Sequence, residues 1–334
     1  MTRVDIPGLE APDAELERQL RARLDQVEQF LEKAVRADYD LLSEAAAYLL
    51  EAGGKRFRPM LVLLSGHFGD PSDARLVPGA AAIELTHVAT LYHDDVIDEA
   101  DYRHGVSSVN ARWSNSVAIV SGDYLFARAA EIASDLGTEV TRLLARTIAT
   151  VSNGQIREVA SSGRLDQNEE AYRETIRRKT ASLIATSCRL GAMLSDAPLE
   201  HVEILDRFGE AAGLGFQLSD DIMDVISTER ELGKEPGVDM KEGVYTLPVL
   251  HALNHSEERD ELVRLLEPGP PEGDRLSRAL TIVSGDGSLR HAREAVTAEV
   301  RKAKELASKL PEGMARSALL NLADFIAVRC GADA

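Results

Sequence analysis

The chain has 334 residues and a formal net charge of −18, a length that suits one large domain or two ordinary ones. The charge argues against a nucleic-acid partner, because a phosphate backbone would be repelled. An anionic substrate would meet the same repulsion unless metal ions and a local cationic patch captured it.

Apolar residues recur at helical spacing along almost every long segment, and alternating strand patterns are scarce. Ala, Leu, Glu and Arg dominate the composition, which also favours helices. The first predicted helix covers about residues 14–36, with Leu16, Leu20, Leu24, Val27 and Leu31 on one face. Further helices are predicted at about 38–52, 57–68, 78–98, 114–135, 138–163, 168–178, 180–194, 199–225, 244–254, 258–266, 274–283, 288–309 and 313–330.

The segment 267–274, rich in Pro and Gly, is the one strong linker signal and cannot be helical. It separates a core of about residues 14–266 from C-terminal helices at about 275–330. Because so few residues follow it, we predict a single all-α domain over residues 1–334, with the last helices packed on the core.

Two acidic clusters share the pattern DDxxD, and each follows an apolar helical stretch. They consist of Asp94, Asp95 and Asp98, and of Asp220, Asp221 and Asp224. On a helix, the first and last Asp of each cluster lie on one face, about 6 Å apart along the axis.

Such carboxylates repel unless a cation lies between them, and Mg²⁺ typically takes one or two carboxylates plus substrate phosphates. A lone DDxxD is usually a solvated acidic patch. The repetition favours a site in which several Mg²⁺ ions hold a diphosphate.

Together with the motifs around them, the clusters resemble those of the trans-prenyltransferases, the all-E polyprenyl diphosphate synthases. The resemblance covers about residues 40–250 and depends on an ordered series of motifs. The series is Gly53-Gly-Lys-Arg-Phe-Arg-Pro59, His87, Arg103, Lys179-Thr180, Gly215-Phe-Gln-Leu-Ser-Asp-Asp-Ile-Met-Asp224, Lys234 and Thr246-Leu-Pro248. It implies a helical bundle of the isoprenoid synthase type around a deep central cavity, with the two clusters facing each other across its mouth, in a homodimer.

The resemblance implies that isopentenyl diphosphate condenses repeatedly with an allylic diphosphate. Departure of the allylic diphosphate leaves a carbocation, so positive charge must stabilise the leaving group. The implied cofactor is Mg²⁺, about three ions, which Mn²⁺ can replace. The implied direct metal ligands are Asp94, Asp98 and Asp220, with Asp95, Asp221 and Asp224 as further ligands or acting through water. The implied catalytic residues are Asp94, Asp95, Asp98, Lys179, Asp220 and Asp221.

The resemblance also assigns the substrate-binding residues. The allylic diphosphate is held by Arg103, Lys179, Thr180 and Lys234, and Gln217 lies near the reacting carbons or this diphosphate. Isopentenyl diphosphate is bound by Lys55, Arg58 and His87. Taken alone, the first two would be surface charges and His87 a core histidine; the ordered series outweighs those interpretations.

Two positions depart from the family pattern. His104 stands where a second Arg normally helps to bind isopentenyl diphosphate, and Val244 stands where many members have a diphosphate-binding Lys. Neither departure touches the acidic clusters. We therefore expect an active enzyme whose substrate affinity is altered.

Product length is predicted from the positions four and five before Asp94, where bulky side chains close the cavity in short-chain members. Here they are Thr90 and Ala89, which are small. We expect about seven to ten isoprene units, a quinone side-chain precursor, because growth stops only when the cavity is full. Release of such a lipid suggests transient membrane contact.

Neither a signal peptide nor the ~18 consecutive apolar residues of a transmembrane helix is recognisable, so we expect a cytoplasmic protein. Cys188 and Cys330 lie in no metal-binding pattern and are expected to be buried thiols.

Four alternatives remain open. A short-chain geranylgeranyl or farnesyl diphosphate synthase would share every motif. A class I terpene cyclase normally pairs one DDxxD with a different metal motif and lacks the Gly53–Pro59 segment. A non-catalytic regulatory subunit tends to lose the acidic clusters. An acidic helical scaffold would leave the repeated motif unexplained.

Overall fold

The computed structural model describes residues 14–226, 236–285 and 287–333, which are mostly helical. They form two compact units, and each unit combines separate stretches of the chain. The first contains the described residues of Met1–Ala149, Leu183–Gly209 and Ala307–Leu319, and the second those of Thr150–Ser182, Glu210–Leu306 and Leu320–Ala334. The predicted single domain stays a prediction. Lys234 lies outside the described residues.

The first unit contains six complete helices and a small hairpin among its described residues. Their bounds are α1 Ala14–Ala34, α2 Asp40–Glu51, α3 Phe57–Gly66, α4 Leu76–Ile97, β1 Tyr102–Arg103, β2 Val106–Ser107, α5 Val109–Arg112 and α6 Asn115–Leu136. Three longer helices contribute residues to both units: α7 Thr138–Ser161, α10 Leu199–Ile226 and α16 Met314–Val328. Nearly all of α9, Ser182–Leu194, also belongs to the first unit.

Helix α4 is central to the packing of the first unit. It is apolar around most of its circumference and packs against α1, α3 and α6. A helix that is hydrophobic all round is normally buried, and this one is buried along most of its length. The predicted apolar face of α1 is buried as expected, at Leu16, Leu20, Leu24, Val27 and Leu31.

The hairpin β1–β2 was not predicted. Tyr102 pairs with Ser107 and Arg103 with Val106, so the connecting turn consists of His104 and Gly105. Both turn residues have positive φ, +51° and +79°. A two-residue hairpin turn of type I′ requires positive φ at both positions, and His tolerates this region better than most residues. A two-residue strand is too short to produce a recognisable alternating pattern.

The remaining elements belong to the second unit, except for Ala307 at the end of α15, which belongs to the first. They are α8 Glu169–Ile176, a π-helical turn Arg177–Ala181, α11 Val238–Lys241, α12 Leu247–His255, α13 Arg259–Leu266, α14 Gly273–Gly285 and α15 Ser288–Ala307. The Pro/Gly-rich segment is non-helical up to residue 272, as predicted. Helices α13 and α14 on its two sides contact each other.

The π-helical turn carries Lys179 and Thr180, where a break between two helices was predicted. The backbone N–H of Ser182 bonds to the carbonyl oxygen of Arg177, five residues earlier. Gly154 of α7 lies directly against this turn, since a Cβ atom added there would be 2.4 Å from the backbone nitrogen of Lys179. Insertions of this kind are frequent at functional sites.

The predicted helices agree with the structure to within a few residues, apart from the short α5 and α11, which were missed. Cys188 and Cys330 are buried free thiols. Among the described helices, none is both long and apolar enough to cross a membrane.

Candidate active site

The first acidic motif lies at the carboxyl end of α4, which Asp98 caps. His93, Val96 and Ile97, near the end of α4, are partly or fully exposed, and so are His87, Thr90, Leu91, Asp94 and Asp98, which recur three or four positions apart. This spacing places them on one face of the helix. The structure therefore brings two predicted metal ligands, one predicted isopentenyl diphosphate ligand and one predicted chain-length residue onto the same accessible face.

Asp95, the second residue of the motif, points the other way and is completely buried. Its Oδ1 accepts a hydrogen bond of 2.7 Å from Nε of Arg103 and forms an ion pair of 2.5 Å with the same guanidinium. Burial raises the pKa of the Asp95 carboxyl, against the opposing charge of Arg103. Asp95 thus ties the hairpin that carries Arg103 to the end of α4.

His104 follows Arg103 in the hairpin turn and is exposed as a whole. Its ring lies near the Gly53–Gly54 segment, since a Cβ atom on Gly54 would be 4.0 Å from its Cε1. Burial of the imidazole and the charges of Arg103 and Arg56 lower the pKa of His104. A neutral imidazole is therefore favoured at the position where the family resemblance led us to expect a permanent cation.

The predicted isopentenyl diphosphate residues come together in the first unit. Arg58, on α3, donates a hydrogen bond of 2.9 Å from Nη1 to Nε2 of His87. Because a guanidinium only donates, Nε2 must be unprotonated. Burial and the charge of Arg58 hold the pKa of His87 well below its usual value, in agreement with a neutral ring. Lys55 is exposed in the loop before α3.

The two predicted chain-length residues differ. Thr90 is partly exposed, and its Oγ1 donates a hydrogen bond of 2.6 Å to the carbonyl oxygen of His87. Ala89 is completely buried. It lies where α4 meets α6, because a Cβ atom on Gly122 of α6 would be 3.3 Å from the Ala89 carbonyl oxygen. Only Thr90 reaches accessible space in this structure, and the role of Ala89 stays a prediction.

The second acidic motif lies near the end of α10, and its first carboxylate has a cationic partner that the sequence did not reveal. Nη2 of Arg329, just after α16, is 2.6 Å from Oδ1 of Asp220. The Arg329 guanidinium lies 4.9 Å from the centre of the Phe216 ring. A residue more than 100 positions away in sequence gives no local signal for such a contact.

Asp221, the second residue of this motif, is buried like Asp95 but has neutral partners. The hydroxyl of Tyr172 donates to its Oδ2, and Nε2 of Gln217 donates to its Oδ1 at 3.0 Å. Gln217 in turn accepts a hydrogen bond of 2.8 Å from Oγ1 of Thr180. The structure thus joins two predicted substrate-binding residues to the motif through one chain of hydrogen bonds.

Asp224 and Lys179 complete the residues of the second unit. The Asp224 carboxylate accepts hydrogen bonds of 3.2 Å from the backbone N–H groups of Val238 and Asp239. Lys179 forms an ion pair with Glu158 of α7. Tyr172, Glu158 and Asp239 were not predicted, because isolated residues of these types carry no pattern.

Within the described ranges, no three His, Cys, Asp or Glu side chains are grouped closely enough to hold a metal ion by themselves. Mg²⁺ does not require such a cage, since substrate phosphates and water supply further ligands.

Two observations fit a divalent cation. Oδ2 of Asp95 is buried without a hydrogen-bond partner among the described residues. Burial and the nearby carboxylates of Asp239, Asp224 and Glu158 raise the pKa of Asp221 well above its usual value. Such concentrated negative charge suits a cation.

Comparison with known proteins identifies the family. The family model described as polyprenyl synthetase matches residues 39–283. The nonaprenyl diphosphate synthase of Mycobacterium tuberculosis is 40% identical over 328 residues, covering 98% of each chain. Heptaprenyl diphosphate synthase component 2 of Geobacillus stearothermophilus is 42% identical over 307 residues, covering 91% of this chain and 94% of that protein.

A solved structure agrees. The geranylgeranyl pyrophosphate synthase of Corynebacterium glutamicum, complexed with calcium and isoprenyl diphosphate, superposes with a TM-score of 0.85 at 40% identity, covering 96% of this chain and 99% of that one. The chain belongs to the polyprenyl synthetase family and has its all-helical fold. It is a prenyltransferase that elongates an isoprenoid chain.

Proposed function

We propose that the chain condenses isopentenyl diphosphate with an allylic diphosphate, repeatedly and with Mg²⁺, to a long all-E polyprenyl diphosphate. The observation that carries the proposal is the accessible face of α4, where His87, Thr90, Asp94 and Asp98 succeed one another. It orders a phosphate-binding group, a small residue and two carboxylates along one helix. That is the arrangement needed to hold a substrate by its diphosphate beside its apolar tail.

Asp94, Asp98 and Asp220 would hold Mg²⁺, with Asp221 and Asp224 supporting the second motif. Calcium in the structure of the Corynebacterium glutamicum relative supports a divalent ion here. When bound, the metal supplies the positive charge that stabilises the departing diphosphate. The side chains Arg103, Lys179 and Thr180 would orient the allylic diphosphate, and we assign the same role to Lys234 from the sequence.

Lys55, Arg58 and His87 would bind isopentenyl diphosphate. Two permanent cations at an anion site reduce the cost of desolvating the diphosphate. The neutral His87 can donate from Nδ1, because its Nε2 accepts from Arg58. No described side chain needs to act as the general base, since the released diphosphate can take the proton.

The product length rests on both relatives and residues. Relatives named nonaprenyl and heptaprenyl diphosphate synthases support seven to ten units. The relative named geranylgeranyl pyrophosphate synthase, at 40% identity, favours the shorter alternative. Thr90 on the accessible face of α4 leaves room for a growing chain, so we favour the long product.

We further propose a cytoplasmic homodimer that contacts membranes transiently when it releases its product. The Geobacillus stearothermophilus relative is named component 2 of its synthase, which suggests a second arrangement in which a different subunit is required. The acidic motifs are intact in this chain, which favours an enzyme active on its own.

One assay tests the proposal. The purified chain is incubated with Mg²⁺, labelled isopentenyl diphosphate and, separately, dimethylallyl, geranyl, farnesyl or geranylgeranyl diphosphate, and the products are resolved by length. We expect linear products of about seven to ten units, which the filling of an apolar cavity would terminate. Products of three or four units would support the short-chain alternative, and cyclic hydrocarbons a cyclase. No product from any primer would contradict an enzyme active on its own.

A further inference from the structure

Arg56 lies between Lys55 and Arg58 in sequence but is buried, with 5% of its surface exposed. Its backbone adopts φ +45° and ψ +38°, the left-handed region, immediately before α3. Non-glycine residues seldom adopt this conformation unless surrounding contacts impose it. The loop that carries the proposed isopentenyl diphosphate ligands therefore has its shape fixed at Arg56.

The contacts of the Arg56 guanidinium show what fixes it. Nε and Nη2 donate to the two carboxylate oxygens of Glu28, on α1, at 2.5 and 3.2 Å. Nη1 donates to Oε1 of Glu84, on α4, at 2.9 Å, and Nη2 also donates to the carbonyl oxygen of Leu50 at 2.7 Å. A planar guanidinium that bridges two carboxylates has a well-defined position. Arg56 thus ties the loop to two helices.

Glu84 links Arg56 to the proposed substrate site. It precedes His87 by one helical turn, and its side chain is almost completely buried. Burial raises the pKa of the Glu84 carboxyl, and the charges of Arg56 and then Arg58 oppose this shift. Arg58 is also the group that donates to His87. The buried carboxylate of Glu84 therefore lies close enough to both arginines to be influenced by their charges, and its Oε1 accepts a hydrogen bond from Arg56.

We propose that Arg56 is a positioning residue for isopentenyl diphosphate. Because Arg56 pairs with the carboxylate of Glu84, Arg58 stays directed at His87 and at the substrate. The inference rests on the proposed binding role of Lys55, Arg58 and His87. A buried carboxylate that loses its partner is strongly unfavourable. In the absence of Arg56, Arg58 is the cation that moves toward Glu84, and the substrate loses its ligand.

The decisive test uses suppression. Arg56→Met should raise the KM for isopentenyl diphosphate about tenfold, the effect of about 1.4 kcal/mol of binding free energy, and leave the KM for the allylic substrate within about twofold. Adding Glu84→Gln removes the charge that captures Arg58, so the double variant should recover most of the affinity. Calorimetric titration with isopentenyl diphosphate alone should show the same order of affinities without turnover.

The control is Arg75→Met. Arg75 also bridges two carboxylates, those of Asp73 and Asp196, but at the surface of the first unit. Its loss should leave both KM values unchanged. If Arg56→Met does not fold, Arg56→Gln replaces it, since it removes the charge and keeps a side chain that can donate hydrogen bonds. The same suppression by Glu84→Gln is expected.

A purely structural role predicts the opposite result. Glu84→Gln would then add to the damage of Arg56→Met, and both KM values and the melting temperature would move together, which would overturn the inference. Unchanged affinity for isopentenyl diphosphate in a folded Arg56→Met protein would also overturn it. Those outcomes leave the proposed function intact if the wild type is active. A wild type that neither binds nor condenses isopentenyl diphosphate would contradict the proposed function itself.

Discussion

The two acidic motifs share one sequence pattern, and each buries its second carboxylate, but the partners of that carboxylate differ. In the first motif Asp95 is paired with the cation Arg103. In the second motif Asp221 accepts hydrogen bonds from the neutral groups of Tyr172 and Gln217. The first carboxylate of the second motif, Asp220, forms an ion pair with Arg329.

This difference shows how a repeated motif can serve two purposes. At the first motif, the cation of Arg103 is held by the buried Asp95. At the second, the cation lies on the outward Asp220, and the buried Asp221 carries crowded negative charge. We infer that the buried carboxylate of the first motif positions a cationic side chain, whereas that of the second adds to a negative charge that a metal ion would balance.

The largest expected effect comes from the outward carboxylates. Asp94→Ala and Asp220→Ala should each lower turnover by at least ~10²-fold, comparable to the loss of one preorganised electrostatic group. Removal of divalent ions with a chelator should abolish activity, and circular dichroism should show an unchanged helical content. Near-wild-type turnover of Asp94→Ala would contradict the metal-ligand role. The control is Asp123→Ala, an exposed carboxylate of α6 outside both motifs.

The second-largest expected effect is on product length. It concerns the residue four positions before the first Asp of each motif. This position is Thr90 before the first motif and Phe216 before the second, where the ring lies under Arg329. Thr90→Phe would place a ring on the accessible face of α4, one turn from Asp94. We expect products of about three to five units, because further growth would require overpacking. The measurement is the product distribution with geranyl diphosphate, which has two units, as primer.

Ala89→Phe is the matched variant for that test. Because Ala89 is buried where α4 meets α6, a ring there should cost about 1–3 kcal/mol of stability by overpacking. We therefore expect a lower melting temperature with little change in product length. A well-folded Ala89→Phe enzyme that makes short products would show that Ala89 lines the cavity, as the sequence alone predicted. Full-length products from Thr90→Phe would place the limit of the cavity elsewhere.

A smaller effect separates the two buried carboxylates. Asp95→Asn leaves the partly buried Arg103 without its counter-charge and should cost about 1–3 kcal/mol. Asp221→Asn resembles the protonated carboxyl that its raised pKa favours, so we expect a loss below ~1 kcal/mol in metal-free protein. Denaturant unfolding in the presence of a chelator compares them. Equal losses would show that the nature of the partner does not matter.

The sequence predicted the helices because they depend on local patterns, and the same patterns suggested the site residues, whose roles stay predictions. Helical spacing identifies α1 and α4, and the position of Asp94 and Asp98 on one face follows from helical geometry alone. The contacts of the second residues could not be predicted. Arg329 reaches Asp220 from the far end of the chain, and the π-helical turn at Lys179 depends on the close approach of Gly154. Such contacts depend on tertiary packing, which leaves no periodic pattern in a single sequence.

The smallest expected effect is at His104, beside the Arg103 that distinguishes the first motif. Its lowered pKa makes the imidazole neutral near pH 7 in the free protein, so a bound diphosphate must recruit a proton to gain a charged partner. The KM for isopentenyl diphosphate should therefore rise with pH above the pKa of His104. For an exposed group the gain is about 0.2–1 kcal/mol, so the change should be at most about fivefold.

Two variants test this expectation. His104→Arg should give a low and pH-independent KM, and His104→Gln a high and pH-independent one. The turn adds a cost to the arginine, since positive φ is less readily adopted by Arg than by His, and a slightly lower melting temperature is expected. Identical pH profiles for the wild type and both variants would show that His104 serves only the turn.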